Sequence, residues 1–130
     1  MNTVKRIQVV SFLPRVSTIL FSLLFICAVW IGPRMMNMDG DLGRHLTVGN
    51  YILTHASIPT RDLFSYTMQG QPFTPHEWLS EVLFALAFRA LGFNGVVVLS
   101  ALLIATTFWL IFKEMIRREM NLLVSLGLIF

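Results

Sequence analysis

Residues 16–32, VSTILFSLLFICAVWIG, contain no charged side chain, and at 1.5 Å of rise per residue such a run approaches the roughly 30 Å hydrocarbon core of a bilayer. It predicts a first transmembrane helix. Lys5 and Arg6 upstream resemble the charged start of a secretory signal, but the run closes on Ala28-Val-Trp-Ile-Gly-Pro33 without a small-x-small cleavage site, so the expectation is a retained anchor. Composition agrees. Of 130 residues, 55% are hydrophobic and only 13% charged, a balance in which the long apolar blocks argue for an integral membrane protein.

A second uncharged block, residues 96–112 (VVVLSALLIATTFWLIF), follows Gly92 and Gly95 and is again of spanning length. A third begins at Leu122 and is still apolar at Phe130. The expected fold is an all-α membrane protein: a cytoplasmic amino terminus (1–15), transmembrane helix 1 (16–32), an external loop (33–94), transmembrane helix 2 (95–112), a cytoplasmic loop (113–121) and the start of a third span (122–130). Such a chain is expected to be the amino-terminal portion of a longer polytopic protein. Juxtamembrane helices are expected near 40–55 and 76–91.

Orientation follows from Lys5, Arg6 and Arg15 before the first span and Lys113, Arg117 and Arg118 after the second; the positive-inside rule puts both flanks in the cytoplasm. Counting residues 76–91 as a crossing would reverse the second flank, and Glu77, Glu81 and Arg89 make that segment too charged to span. The loop holds four arginines against five acids, so the net charge of +3 belongs to the flanks. Attraction to anionic lipid accounts for it, and no nucleic-acid partner is implied. Cys27, the single cysteine, sits within the first span and is expected to pack there.

Chemistry is therefore sought in the loop. Leu42, Leu46, Gly49, Ile52 and Leu53 recur at three- and four-residue spacing and predict an amphipathic helix lying on the membrane. Residues 57–75, rich in Pro, Gly, Ser and Thr, are expected to be irregular. With a helix start near Gly40, Asp39 takes the N-cap and Asp41 the first turn, where the helix dipole favours acids. Asp41 and His45 then share a face at i, i+4, beside Arg44. A carboxylate next to an imidazole suits general base work, and a guanidinium suits phosphate. Asp39 and Asp41 together form an Asp-x-Asp pair of the kind that holds a divalent cation. His45, His55 and His76 lack a zinc-site spacing, which argues against structural zinc. His76 and Glu77 open the second helix after Pro75, either as dipole partners or as a binding pair, while Trp78 reads as a headgroup-level anchor.

The ordered series Asp39-x-Asp41-Leu-x-x-His45-Leu-x-x-Gly49-x-x-Ile52, Ile58-Pro-Thr-Arg61-Asp62, Phe64-Ser-Tyr-Thr67, Gly70-Gln-Pro72 and His76-Glu-Trp-Leu79 resembles bacterial polytopic proteins related to the GT-C glycosyltransferases. That superfamily includes protein O-mannosyltransferases and aminoarabinose transferases, and the likeness runs in order over residues 16–118. The resemblance implies transfer of a sugar from a polyprenyl-phosphate donor to an extracytoplasmic acceptor at the bacterial inner membrane. It implies Asp41 as catalytic acid with Asp39 as companion. Together with the residue readings above, it makes Arg44, His45, Arg61, His76 and Glu77 the expected substrate-binding residues and a divalent cation the possible cofactor. The expected partners are membrane lipid, the lipid-linked donor and the remaining helices of a full-length protein. This chain departs from the pattern at Leu42, where many members carry a second acid, and at Arg44, where relatives carry an aromatic residue. The alternative expectation is a non-catalytic membrane module with the same loop architecture, because a shared fold does not fix chemistry. A transporter subunit is a third reading, with no ionisable coupling residue in either clear span to support it.

Overall fold

The computed structural model describes residues 3–129, with side chains from Val16 onward. Its helices in chain order are α1 (Thr3–Met38), α2 (Leu42–His55), α3 (Trp78–Leu91), α4 (Phe93–Arg117) and α5 (Leu122–Gly127), and no β-strand occurs among the described residues. Two of them, α1 over Val16–Met38 and α4, are long and apolar enough to cross a membrane.

Helix α1 does not stop at Gly32-Pro33, where the sequence predicts the span to end. Proline forfeits one backbone hydrogen bond inside a helix, but Arg34, Met35, Met36 and Met38 are good helix formers and carry the helix on to Met38. Helix α4 likewise starts earlier and ends later than the apolar run 96–112.

Two compact units divide the described chain: residues up to Gly32 together with those from Ser100 onward, and Pro33–Leu99. In the first, Phe21 meets Trp109 edge-on with ring centroids 6.5 Å apart. Lys113 Nζ lies 4.5 Å over the Trp109 ring, and Glu114 pairs with Arg117 and Arg118. Helix α5 is a short six-residue element whose N-cap, Asn121, accepts a 2.9 Å hydrogen bond from the Leu123 N–H.

The second unit is built on α2 packed against α3. The helices touch where side chains are smallest: a Cβ at Gly49 would overlap the Glu81 carbonyl and press on Ala85. Glycine is therefore required for α3 to come this close. Arg89 fastens the far end, donating from Nε to Asn50 Oδ1 at 3.0 Å and from Nη2 to Thr54 Oγ1 at 3.1 Å. The buried face of α2 is Leu42, Val48 and Gly49. Leu42 and Gly49 belong to the expected apolar stripe, whose other members Leu46, Ile52 and Leu53 are half-buried, so the spacing finds this face and misses only Val48.

The connection between α2 and α3 is more ordered than its composition suggests. Arg61 bridges Pro72 in antiparallel fashion, with Asp62 N–H donating to Gln71 O at 2.9 Å and Phe73 N–H to Thr60 O at 3.0 Å. A turn at its tip is closed by Asp62, whose carboxylate accepts from the Phe64 and Ser65 N–H groups and the Ser65 hydroxyl. After α3, Gly92 adopts φ +62° and starts the reversal into α4.

Candidate functional site

Helix α2 begins at Leu42, two residues later than the sequence predicts, because the chain first closes a tight turn. The Asp39 carboxylate accepts the Asp41 N–H at 2.9 Å, and Asp41 rather than Asp39 occupies the N-cap position, without a side-chain capping bond. The Asp41 carboxylate is consequently open to its surroundings, 72% exposed, with Arg44 Nε 3.8 Å away.

Asp41 and His45 are joined through the backbone, His45 N–H to Asp41 O at 3.0 Å, while the imidazole turns the other way, toward α3. His45 Nδ1 lies 3.3 Å from Glu81 Oε1 and 3.5 Å from Glu77 Oε2. Arg44 reaches the same two carboxylates, with Nη1 3.4 Å from Glu81 Oε1 and Nη2 3.5 Å from Glu77 Oε2; its Nη2 is also 3.5 Å from His45 Nε2. The expected Asp41–His45 side-chain pairing is thus replaced by a four-residue cluster that joins the first turn of α2 to the start of α3.

Local sequence explains the convergence. Glu77 and Glu81 are one helical turn apart and share a face of α3, where like charges repel. Arg44 and His45 meet them because Gly49, one turn further along α2, brings the two backbones together. Glu81 is completely buried, and its Oε2 has no hydrogen-bond partner among the described residues. Ionised carboxylates removed from water cost several kcal/mol unless paired, so this is the most heavily constrained group in the cluster.

Glu81 is the residue that sequence reasoning passes over. It reads as an interruption of an apolar helix, yet its i, i+4 relation to Glu77 was the available signal. Arg61 and His76 are not part of the cluster. Arg61 Nη1 donates instead to Gly70 O at 3.0 Å and holds the α2–α3 connection, and His76 is exposed ahead of α3. Asp62 belongs to the same connection; the Ser65 hydroxyl and the Ser65 and Phe64 N–H groups hold its carboxyl below the usual carboxylate range.

An open groove of about 350 Å³ runs beside the cluster, walled by Arg44, Thr47 and Val48 of α2 and by Asp62, Phe64 and Phe73 of the connection. Aromatic faces line it together with one guanidinium and one carboxylate, a mix suited to a ligand with apolar and polar parts. Comparison with family models, with curated proteins and with solved structures finds no match to this chain.

Proposed function

We propose that this chain is the amino-terminal part of a polytopic glycosyltransferase of the bacterial inner membrane. Its amino terminus is cytoplasmic and its α2–α3 unit faces outward, and a sugar is transferred there from a polyprenyl-phosphate donor. The observation that carries this reading is the exposed Asp41 carboxylate, 3.8 Å from the Arg44 guanidinium and only three residues beyond the end of α1. An acid at the N-cap and a guanidinium fork in the first turn thereby share the start of a helix that follows directly on an apolar one.

In the reaction, an acceptor hydroxyl attacks the anomeric carbon in line with the lipid phosphate. The new O–C bond forms as the C–O bond to phosphate breaks, with inversion, and the phosphate departs with the bonding electron pair. Asp41 takes or orients the hydroxyl proton. Arg44 steadies the charge gathering on the phosphate, a role its planar donor fork suits, and the groove beside it receives the head group. Asp39, which fixes the Asp41 backbone through its carboxylate, acts as a positioning residue. Later helices of the complete protein would close the site.

A non-catalytic module is favoured by a different observation: Arg44 already contacts Glu77 and Glu81 of its own chain, as a packing clamp would. Transfer assays on the complete protein separate the two. Asp41→Asn is expected to lower transfer by 100-fold or more, in the range of general acid–base contributions of about 10²–10⁴, with membrane insertion unchanged. Retained transfer removes Asp41 as the essential acid, and absence of transfer by the wild type with lipid-linked sugars favours the module.

A further inference from the structure

We infer that His45, Glu77 and Glu81 form a binding site for a divalent transition-metal ion, with zinc matching the donor set best. One donor atom from each residue lies within 4.8 Å of the other two, and His45 Nδ1 is 3.3 Å from Glu81 Oε1 and 3.5 Å from Glu77 Oε2. A tetrahedral ion with bonds of about 2.0–2.2 Å separates its ligands by about 3.3–3.6 Å. The two separations from His45 fall in that interval, and the Glu77 and Glu81 oxygens lie within 4.8 Å of each other.

Spacing alone would also describe an imidazole hydrogen-bonded to two carboxylates. The independent observation is Glu81 Oε2, fully buried and without a partner among the described residues. A buried carboxylate oxygen left unpaired bears its whole desolvation cost; Oε1 is the oxygen that faces His45, and a cation held by both oxygens of this carboxylate would offset the cost at Oε2. Charge points the same way. Three carboxyl groups, those of Glu77, Glu81 and the nearby Asp41, surround the one guanidinium of Arg44. The Arg44 contacts with the two glutamates, at 3.4 and 3.5 Å, are longer than the roughly 2.7–2.9 Å of strong charge-assisted bonds. Arg44 is half-exposed and its guanidinium meets the same two oxygens, Glu81 Oε1 and Glu77 Oε2, so metal binding requires it to turn aside, toward Asp41. Metal on Nδ1 leaves the ring proton on Nε2, and that turn takes the guanidinium away from it.

The imidazole selects the ion class, since magnesium and calcium prefer all-oxygen shells whereas zinc accepts nitrogen with carboxylate. Three protein ligands leave a fourth position for water or a ligand oxygen, reached past Glu77, whose side chain is 58% exposed. The site differs from the Asp-x-Asp pair expected from sequence, because neither Asp39 nor Asp41 belongs to it. The inference stands independently of the transferase reading, since its readout is binding.

The test is calorimetric titration of ZnCl₂ into the tag-free chain in nanodiscs, with circular dichroism confirming that each variant keeps its helical content. One zinc per chain is expected. Glu81→Gln, His45→Gln and Glu77→Gln should each weaken binding at least 10-fold, while His55→Gln, whose imidazole stacks on Tyr51 outside the cluster, leaves it unchanged. Glu77→Gln alters an exposed side chain and keeps the test decisive if the buried substitutions disturb folding. Failure of the wild type to bind zinc, or binding that survives Glu77→Gln and His45→Gln, overturns the assignment.

Discussion

Helix α2 meets α3 through a glycine and an alanine and is tied at both ends by charged side chains, Arg44 with Glu77 and Glu81 at one end and Arg89 with Asn50 and Thr54 at the other. Helices α1 and α4 do the reverse. They present Ile19, Leu23, Ile26, Leu103, Leu110 and Ile111 outward, and Glu114 and Arg117 come only at the close of α4, with Arg118 just beyond it. A helix surface of that kind is stable only when something apolar covers it, and lipid does so in the function proposed above. The difference teaches where specificity resides. Apolar surface tolerates many exchanges, whereas a close backbone approach with a buried carboxylate tolerates few.

The contrast breaks most sharply at Gly49. Gly49→Leu forces a side chain into the Glu81 carbonyl; overpacking commonly costs about 1–3 kcal/mol, and an obstacle made of backbone puts this case at about 3 kcal/mol or more. Gly43→Ala on the same helix meets nothing within 4 Å and should be neutral or stabilising by up to about 1 kcal/mol. Thermal unfolding of both variants in detergent checks the pair, and equal losses would contradict a contact specific to Gly49.

On the apolar side, Leu103→Lys introduces a charge near the middle of α4 at an outward position. If α4 spans the bilayer, insertion becomes less favourable by about 2.5–3.5 kcal/mol, measurable as the ratio of membrane-inserted to non-inserted chain. An unchanged ratio would deny α4 its lipid contact. Arg44→Ala probes the polar side. Removing one partner of a fully buried pair costs about 3–5 kcal/mol, and because Arg44 is half-exposed water replaces part of it, leaving a loss of about 1–3 kcal/mol. Adding Glu81→Gln should recover part of that loss, and a double-mutant cycle with no coupling would separate the two residues.

The smallest expected effect concerns pH. The Asp62 carboxyl lies below its ordinary range in the folded chain, so its stabilisation is complete above the unfolded pKa of about 3.9 and is lost as pH falls through the lower folded value. Amide exchange at Phe64 and Ser65, whose N–H groups donate to Asp62, should therefore accelerate relative to the rest of the unit below about pH 4. Asp62→Asn should show this faster exchange at neutral pH without further acid dependence.

Hydropathy and periodicity made the two long apolar helices and the existence of α2 and α3 legible in the sequence, because each depends on local spacing. The apolar stripe also located Leu42 and Gly49 on the buried face of α2, but not that Gly49 meets Glu81, a residue far away in the chain. The paired segment between Thr60 and Phe73 was hidden for a similar reason: Pro, Gly and Ser announce turns but not which backbone groups they bring together. At the candidate site, Arg44, His45 and Glu77 were singled out from sequence and do converge. Their meeting point, Glu81, was visible only as a charge out of place in an apolar helix. Asp41 takes the N-cap expected for Asp39, and Asp39 falls in the turn before the helix, because that turn delays the helix by two residues.

The membrane arrangement on which the proposed chemistry depends is tested most directly by single-cysteine labelling. In a Cys27→Ser background, Ser57→Cys in the α2–α3 connection and Met120→Cys after α4 are treated with a membrane-impermeant maleimide on intact spheroplasts, and again after lysis. The account predicts labelling of the Ser57→Cys chain in intact spheroplasts and of the Met120→Cys chain only after lysis. The opposite pattern, or equal labelling of both before lysis, would contradict an outward-facing α2–α3 unit between two crossings.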